Sequence, residues 1–194
     1  ISPINKGEVV WVVTPQDLVV IGELFLTGKL NLTRTVALTG SRIENPHYVT
    51  AIAGAQISGV VGNQVKEVAN TRIISGDVLT GTKVGENDFL GFYDDQITAI
   101  PEGNDYDLFG WAKPISNKIS LTRALTFSWL NPTKEYDLNT NTNGEQRAFV
   151  VTGMYEEVFP LDIYPMQLLK ACLYKDLDEL ENLGAYEVAP EDFA

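Results

Sequence analysis

Between Thr33 and Lys83 three short apolar runs are punctuated by glycine, and their order restricts the fold more than any other feature of the chain. Thr35-Val36-Ala37-Leu38-Thr39 alternates small or polar with apolar side chains, the period of a half-buried strand. Gly40 and Asn45-Pro46 supply turn chemistry before a second run, Tyr48–Ala53. A short helical segment at Ala55–Val61 follows, and Arg72-Ile-Ile-Ser75 leads into the glycine-rich exit Gly76-Asp-Val-Leu-Thr-Gly81. Strand, strand, short helix, strand is the order of a β-grasp, a small sheet wrapped on one helix. The segments on either side read as additions to that unit.

Upstream, Glu8-Val-Val-Trp-Val-Val13 is continuous and β-branched, which predicts a strand buried on both faces of a parallel sheet. Thr14 as N-cap, Pro15 at the first helical position and Asp17 in the first turn start a helix. Leu18, Ile21, Gly22 and Phe25 are its expected buried stripe, and Gly28 its stop. A parallel strand needs crossover-connected neighbours, and none is in sight nearby. With a first residue Ile1, that predicts sheet partners upstream in a longer polypeptide; the end at Phe193-Ala194, with no closing element, adds to the expectation. Downstream, strands are expected at Gln96–Ile100, Tyr106–Ala112, Lys118–Phe127 and Arg147–Thr152, with an exposed Asn- and Thr-rich loop at Asn131–Arg147. From Asp162 the texture turns helical: Pro165 opens one helix, and Leu177, Leu180 and Leu183 mark another that Gly184 ends.

Composition removes several classes of function. A net charge of −12 disfavours nucleic-acid and anionic-membrane surfaces, which need clustered Lys and Arg. Mean hydropathy is −0.04, and no apolar run approaches the ~18 residues of a membrane span. The N-terminal residues lack the basic-then-apolar pattern of a signal peptide. One cysteine, Cys172, excludes an intrachain disulfide and suits a reducing compartment. One histidine, His47, disfavours a His-based metal cage or a Ser-His-Asp triad without a partner chain.

The remaining motifs favour structural roles. Gly76–Lys83 looks like a phosphate loop, but its lysine follows the hydroxyl residue instead of preceding it, and no long helix comes next. Asn139-x-Asn141-x-Asn143-Gly144 matches the opening of a calcium loop without its carboxylates, with Val150 where Glu belongs. Asp94-Asp95 and Glu156-Glu157 would point to opposite faces of a strand, so neither forms an acid–base dyad. His47 is expected in an exposed turn and Cys172 on the apolar face of a helix. Phe109, Trp111, Phe127 and Trp129 could stack a flat ligand or pack a core.

Longer stretches resemble the A-subunit family of the sodium-translocating NADH:quinone reductase. They are Phe25-Leu-Thr-Gly-Lys-Leu30, Arg34-Thr-Val-Ala-Leu-Thr-Gly40, Arg72-Ile-Ile-Ser-Gly-Asp-Val-Leu-Thr-Gly-Thr-Lys83, Leu108-Phe-Gly-Trp111, Ser120-Leu-Thr-Arg123, Asn143-Gly144 with Arg147-Ala148, and Phe159–Pro165. The resemblance runs from Ile1 to Ala194 and implies a middle-to-late portion of that family's polypeptide. It implies an α+β fold: the end of a Rossmann-like unit (1–32), a soluble-ligand-binding β-grasp domain (33–101), an additional β-rich part (102–152), and C-terminal helices (153–194). The last part would resemble a ferredoxin-like region without clusters. Rnf-type relatives carry iron–sulfur cysteines there, whereas this chain offers only Cys172, too few thiolates for a cluster.

The resemblance therefore implies a peripheral subunit on the cytoplasmic face of the bacterial inner membrane. Its partners would be the other subunits of the membrane-bound reductase, and it would scaffold and dock without a redox cofactor of its own. Quinone, the substrate of the complex, is a candidate contact. A flat, weakly polar head needs an aromatic slot and a donor or two. Phe109 and Trp111, at i and i+2 of an expected strand, would share a face, and Arg123 on the next strand could donate to a carbonyl oxygen. The competing reading makes both rings core and pairs Arg123 with Asp105 or Asp107. A free-standing β-grasp module for a small ligand is the alternative function; an independent enzyme ranks third, for want of a nucleophile–base pair.

Overall fold

The computed structural model describes residues 4–104, 107–114, 118–119, 125–130, 135–144 and 148–193. Its elements in order are α1 (Pro15–Thr27), β1 (Thr33–Thr39), β2 (His47–Ile52), α2 (Ile57–Val61), β3 (Thr71–Ser75), β4 (Thr82–Val84), β5 (Gln96–Pro101), α3 (Met154–Val158), α4 (Pro165–Tyr174) and α5 (Leu177–Asn182), with short 3₁₀ turns between them. The chain divides into two compact units, Asn31–Gln146 and Ile1–Leu30 with Arg147–Ala194.

The first of these holds one mixed sheet in the order β2-β1-β5-β3-β4. β1 and β2 form the expected antiparallel hairpin, with Val36 opposite Val49. β5 runs parallel to β1 and antiparallel to β3, which makes it the central strand. The pleat then sorts the side chains. Val36, Leu38, Ile73, Ile97 and Ala99 turn to one face and close a core with Ile57 and Val61 of α2 and with Ile43 and Leu90. α2 is held there because Ile57 N donates to Asp88 O (2.9 Å) and Leu90 N to Ala55 O (2.9 Å), clamping the start of the short helix to the chain before β5.

The β1–β2 connection depends on Gly40, whose φ of +99° lies in the left-handed region. A β-carbon there would fall far inside van der Waals contact of the Ala99 carbonyl, the group that accepts from Arg42 N at 3.1 Å. The buried hydroxyls of Thr98 and Ser75 are both satisfied. Thr98 Oγ1 donates to Gly76 O (2.8 Å) and receives Gln96 Nε2 (2.8 Å). Ser75 Oγ donates to the Asp94 carboxylate and accepts from Gly91 N (2.9 Å).

No strand occurs among the described residues of 102–152, which corrects the expectation of an additional β-rich part. Where Tyr106–Ala112 was to be a strand, Gly110–Ala112 is a 3₁₀ turn; Tyr106 lies outside the described residues. Of Lys118–Phe127, residues 120–124 lie outside the description, and 125–127 are bend and turn. Residues 148–152 are irregular, and Arg147 lies outside. These segments have strand-like composition, but a strand also needs a ladder partner, and Gly110, Pro114 and the many Asn residues favour turns.

In the other unit α1 is capped as the sequence dictates. Thr14 Oγ1 accepts from Asp17 N (3.2 Å), and Gly28, at φ +70°, donates its N–H to Leu24 O (2.8 Å). Its expected buried stripe is not buried: Leu18 is 65% and Phe25 85% exposed, and no residue of α1 is buried. Val9–Val13 is likewise exposed and has no sheet partner among the described residues. An apolar run becomes a buried strand only where neighbours supply the ladder and the cover. α4 buries Pro165, Met166, Leu168 and Ala171. Cys172 stands exposed, a correction: it shares the helix sector of Pro165 and Leu168, but the last turn of α4 is uncovered, with Leu173 and Tyr174 exposed as well. Asp176 caps α5 by accepting from Glu179 N (3.1 Å), and Lys6 pairs with Glu181 (2.7 Å).

Candidate functional site

Phe109 follows an aspartate-centred turn. Asp107 receives Lys113 Nζ at 2.5 Å and Lys118 Nζ at 3.4 Å, and Ala112 N donates to Phe109 O (2.9 Å). The hydrogen bond from Lys113, more than the charge of Lys118, holds the Asp107 carboxyl below the ordinary aspartate range. This turn places Phe109 at φ +53° and leaves the residue 64% exposed. Beside it opens a cavity of about 320 Å³ lined by Asp107, Phe109, Lys118, Ile119, Thr142 and Asn143.

That geometry alters the expected trio. A 3₁₀ turn advances about 120° per residue, so the strand alternation that would set Phe109 and Trp111 on a common face does not apply. Trp111 has its backbone in the Gly110–Ala112 turn, with its ring outside the description, and Arg123 lies outside the described residues. Asp107, one of the two acids assigned to Arg123 in the competing reading, is held by Lys113 and Lys118. Sequence reasoning missed Lys118, Thr142 and Asn143, since only the folded loops bring them to Phe109.

A second missed residue had a visible signal. Arg34 is only 3% exposed and sits 5.3 Å from the Phe92 ring centroid, a cation–π distance. It is in phase with Val36 and Leu38, so the alternation that makes β1 a strand also turns Arg34 inward.

Two further hollows occur in the same unit. One, about 400 Å³, is lined by Ile57, Val61, Val65, Val68, Ile73 and Glu86. The other, about 340 Å³, lies beside Arg72, Lys83 and Leu138. Arg72 forks onto Glu102 through Nε (3.0 Å) and Nη2, and that pairing lowers the Glu102 carboxyl from its usual range. Because the folded pKa lies below the unfolded one, the pairing contributes stability above the unfolded value and loses it as pH falls through the folded value. Glu102→Gln is expected to flatten the acid limb of urea midpoints measured between about pH 3 and 6. An unchanged limb would contradict the assignment.

Among the described residues no group of three His, Cys, Asp or Glu could hold a metal. Asn139 and Asn141 instead accept the N–H groups two residues on, at 2.9 and 3.0 Å, as Asx turns. No described helix is long and apolar enough to cross a membrane.

Residues 1–30 match the family model described as the NqrA second alpha/beta domain, and residues 35–86 the NQRA C-terminal domain. The chain is 40% identical over its whole length to the A-subunit of the Na(+)-translocating NADH-quinone reductase of Neisseria meningitidis serogroup B. The chain belongs to the NqrA family. Its identity to the NqrA of Pasteurella multocida is 39%, over all of the chain, and to that of Vibrio vulnificus 40%, over 99% of it. In each case the chain spans 43% of the relative's length. Both family models fall on stretches whose motifs carried the resemblance, including the hairpin and Arg72–Lys83 of this NqrA chain.

Proposed function

We propose that this NqrA chain serves within a sodium-pumping NADH:quinone oxidoreductase as a peripheral docking and scaffolding part, on the cytoplasmic face, with no redox cofactor of its own. The observation that carries the reading is the 40% identity, along the whole chain, to a subunit of that complex. A single exposed cysteine and one histidine supply too few ligands for an iron–sulfur cluster. Within the chain we read 33–101 as a β-grasp domain. The sheet order β2-β1-β5-β3-β4, the parallel β1–β5 pair and the short helix after the hairpin support this. Residues 1–32 we read as the end of a Rossmann-like unit, on the strength of the apolar run and capped helix.

The test is complementation. In cells lacking NqrA, the full-length protein containing this chain should restore sodium-stimulated NADH:quinone reductase activity in membranes. No assembly, with the reductase active without it, would overturn the proposal and favour the free-standing ligand-binding module. Quinone contact is assigned to Phe109, with Trp111 and Arg123 as its companions, because Phe109 is exposed beside a cavity large enough for a flat head. Phe109→Ala should raise the quinone KM about threefold to tenfold, leaving the NADH KM unchanged. An unchanged quinone KM would move the contact elsewhere.

A further inference from the structure

Arg72–Lys83, whose glycines suggested a phosphate loop, builds a different kind of site. The register sets Arg72 opposite Ile100, and Ile74 opposite both Thr98 and Lys83. These residues therefore share the sheet face away from the α2 core. Ile74 and Ile100 are buried and form an apolar floor. Val78, Leu79 and Leu138 wall it, giving an open cleft of about 340 Å³. The wall is braced, because Asp77 accepts from Leu79 N (2.6 Å) and Thr80 N (2.8 Å), and Gly81 N returns to Asp77 O (3.2 Å).

The rim is charged and unbalanced. Glu102 takes the fork of Arg72, and Lys83 Nζ stands 3.6 Å from the same carboxylate. One carboxylate thus faces two cations, a local positive excess in a chain whose formal charge is −12. Arg72 gives Nε and Nη2 to Glu102, and among the described residues its Nη1 has no acceptor. A guanidinium edge beside an ammonium is a receptor for a planar anion. The volume lies near the lower end of small-molecule sites, suited to a ligand of roughly ten to fifteen heavy atoms.

The geometry points to a binding site for a small amphipathic organic anion, its carboxylate resting on Arg72 and Lys83 and its apolar body lying over Ile74, Ile100 and Leu138. This site is separate from the Phe109 cavity and does not depend on the role proposed for the complex. Phosphate alone would engage the rim and leave the apolar floor unused.

The probe is octanoate, titrated into isotope-labelled full-length protein, with octanol and octylammonium as chain-matched controls. Octanoate should saturate one site with Kd about 0.1–1 mM, shifting the amides of Val78–Gly81, Lys83 and Leu138–Thr140. Octanol should bind at least about tenfold more weakly, and octylammonium should leave these amides unmoved. Lys83→Gln, at an exposed position of an edge strand, should weaken octanoate about threefold to tenfold, and Leu138→Asp should abolish binding. Both variants should retain the wild-type thermal midpoint within a few degrees. No saturable binding by about 10 mM, octanol matching octanoate, inorganic phosphate reproducing the full shift pattern, or folded variants binding like wild type would each overturn the assignment.

Discussion

Gly40→Ala is expected to lower the unfolding free energy by about 2–4 kcal/mol, measured by urea denaturation. Gly40 holds φ +99°, and the added carbon would meet the Ala99 backbone, which belongs to the central strand. Neither partner can yield cheaply. The Ala99 carbonyl also receives Arg42 N, so relief of the clash would cost the hydrogen bond that seats the hairpin turn. Gly59→Ala provides the control, since Gly59 lies inside α2 with open space around its missing β-carbon and an ordinary φ. That change should be neutral or stabilising by up to about 1 kcal/mol. Equal midpoints for Gly40→Ala and wild type would contradict the hairpin geometry.

Ile57→Ala is expected to cost about 3–4 kcal/mol, within the range for fully buried aliphatic truncations. Ile57 is 0% exposed and stands between α2 and the strands of the core. Removing its methyl groups leaves a void that neighbours held in the sheet ladder cannot collapse to fill. Leu18→Ala on α1, at 65% exposure, should change stability by no more than about 0.5 kcal/mol. A loss from Leu18→Ala as large as that from Ile57→Ala would show that the apolar periodicity of α1 reports burial after all.

That contrast marks what the chain discloses before it folds. The β1–β2 hairpin was legible because its alternation and its Gly and Asn-Pro turn residues are local. The caps of α1 were legible for the same reason, each resting on residues within one turn. The parallel pairing of β1 with β5 was not, since it joins Leu38 to Ile97 across about half of the unit and depends on the whole sheet closing. Burial along α1 and Val9–Val13 failed because periodicity states which face could be covered, and only packed neighbours decide whether it is. At the candidate quinone site, strand composition around Phe109 lost to a local device, Asp107 drawing in Lys113 and Lys118, and the turn took Phe109 to a left-handed conformation. Arg34 was legible in principle, being in phase with Val36 and Leu38, but arginine is so seldom buried that the pattern alone did not announce it.

The central claim is that this chain works inside the reductase complex, and affinity purification tests it most directly. Full-length NqrA carrying a tag, expressed in its own cells and extracted in mild detergent, should bring down the integral membrane subunits in equimolar amounts, together with sodium-stimulated NADH:quinone activity. Recovery of the tagged protein by itself, from membranes whose reductase stays active and intact in the unbound fraction, would contradict it.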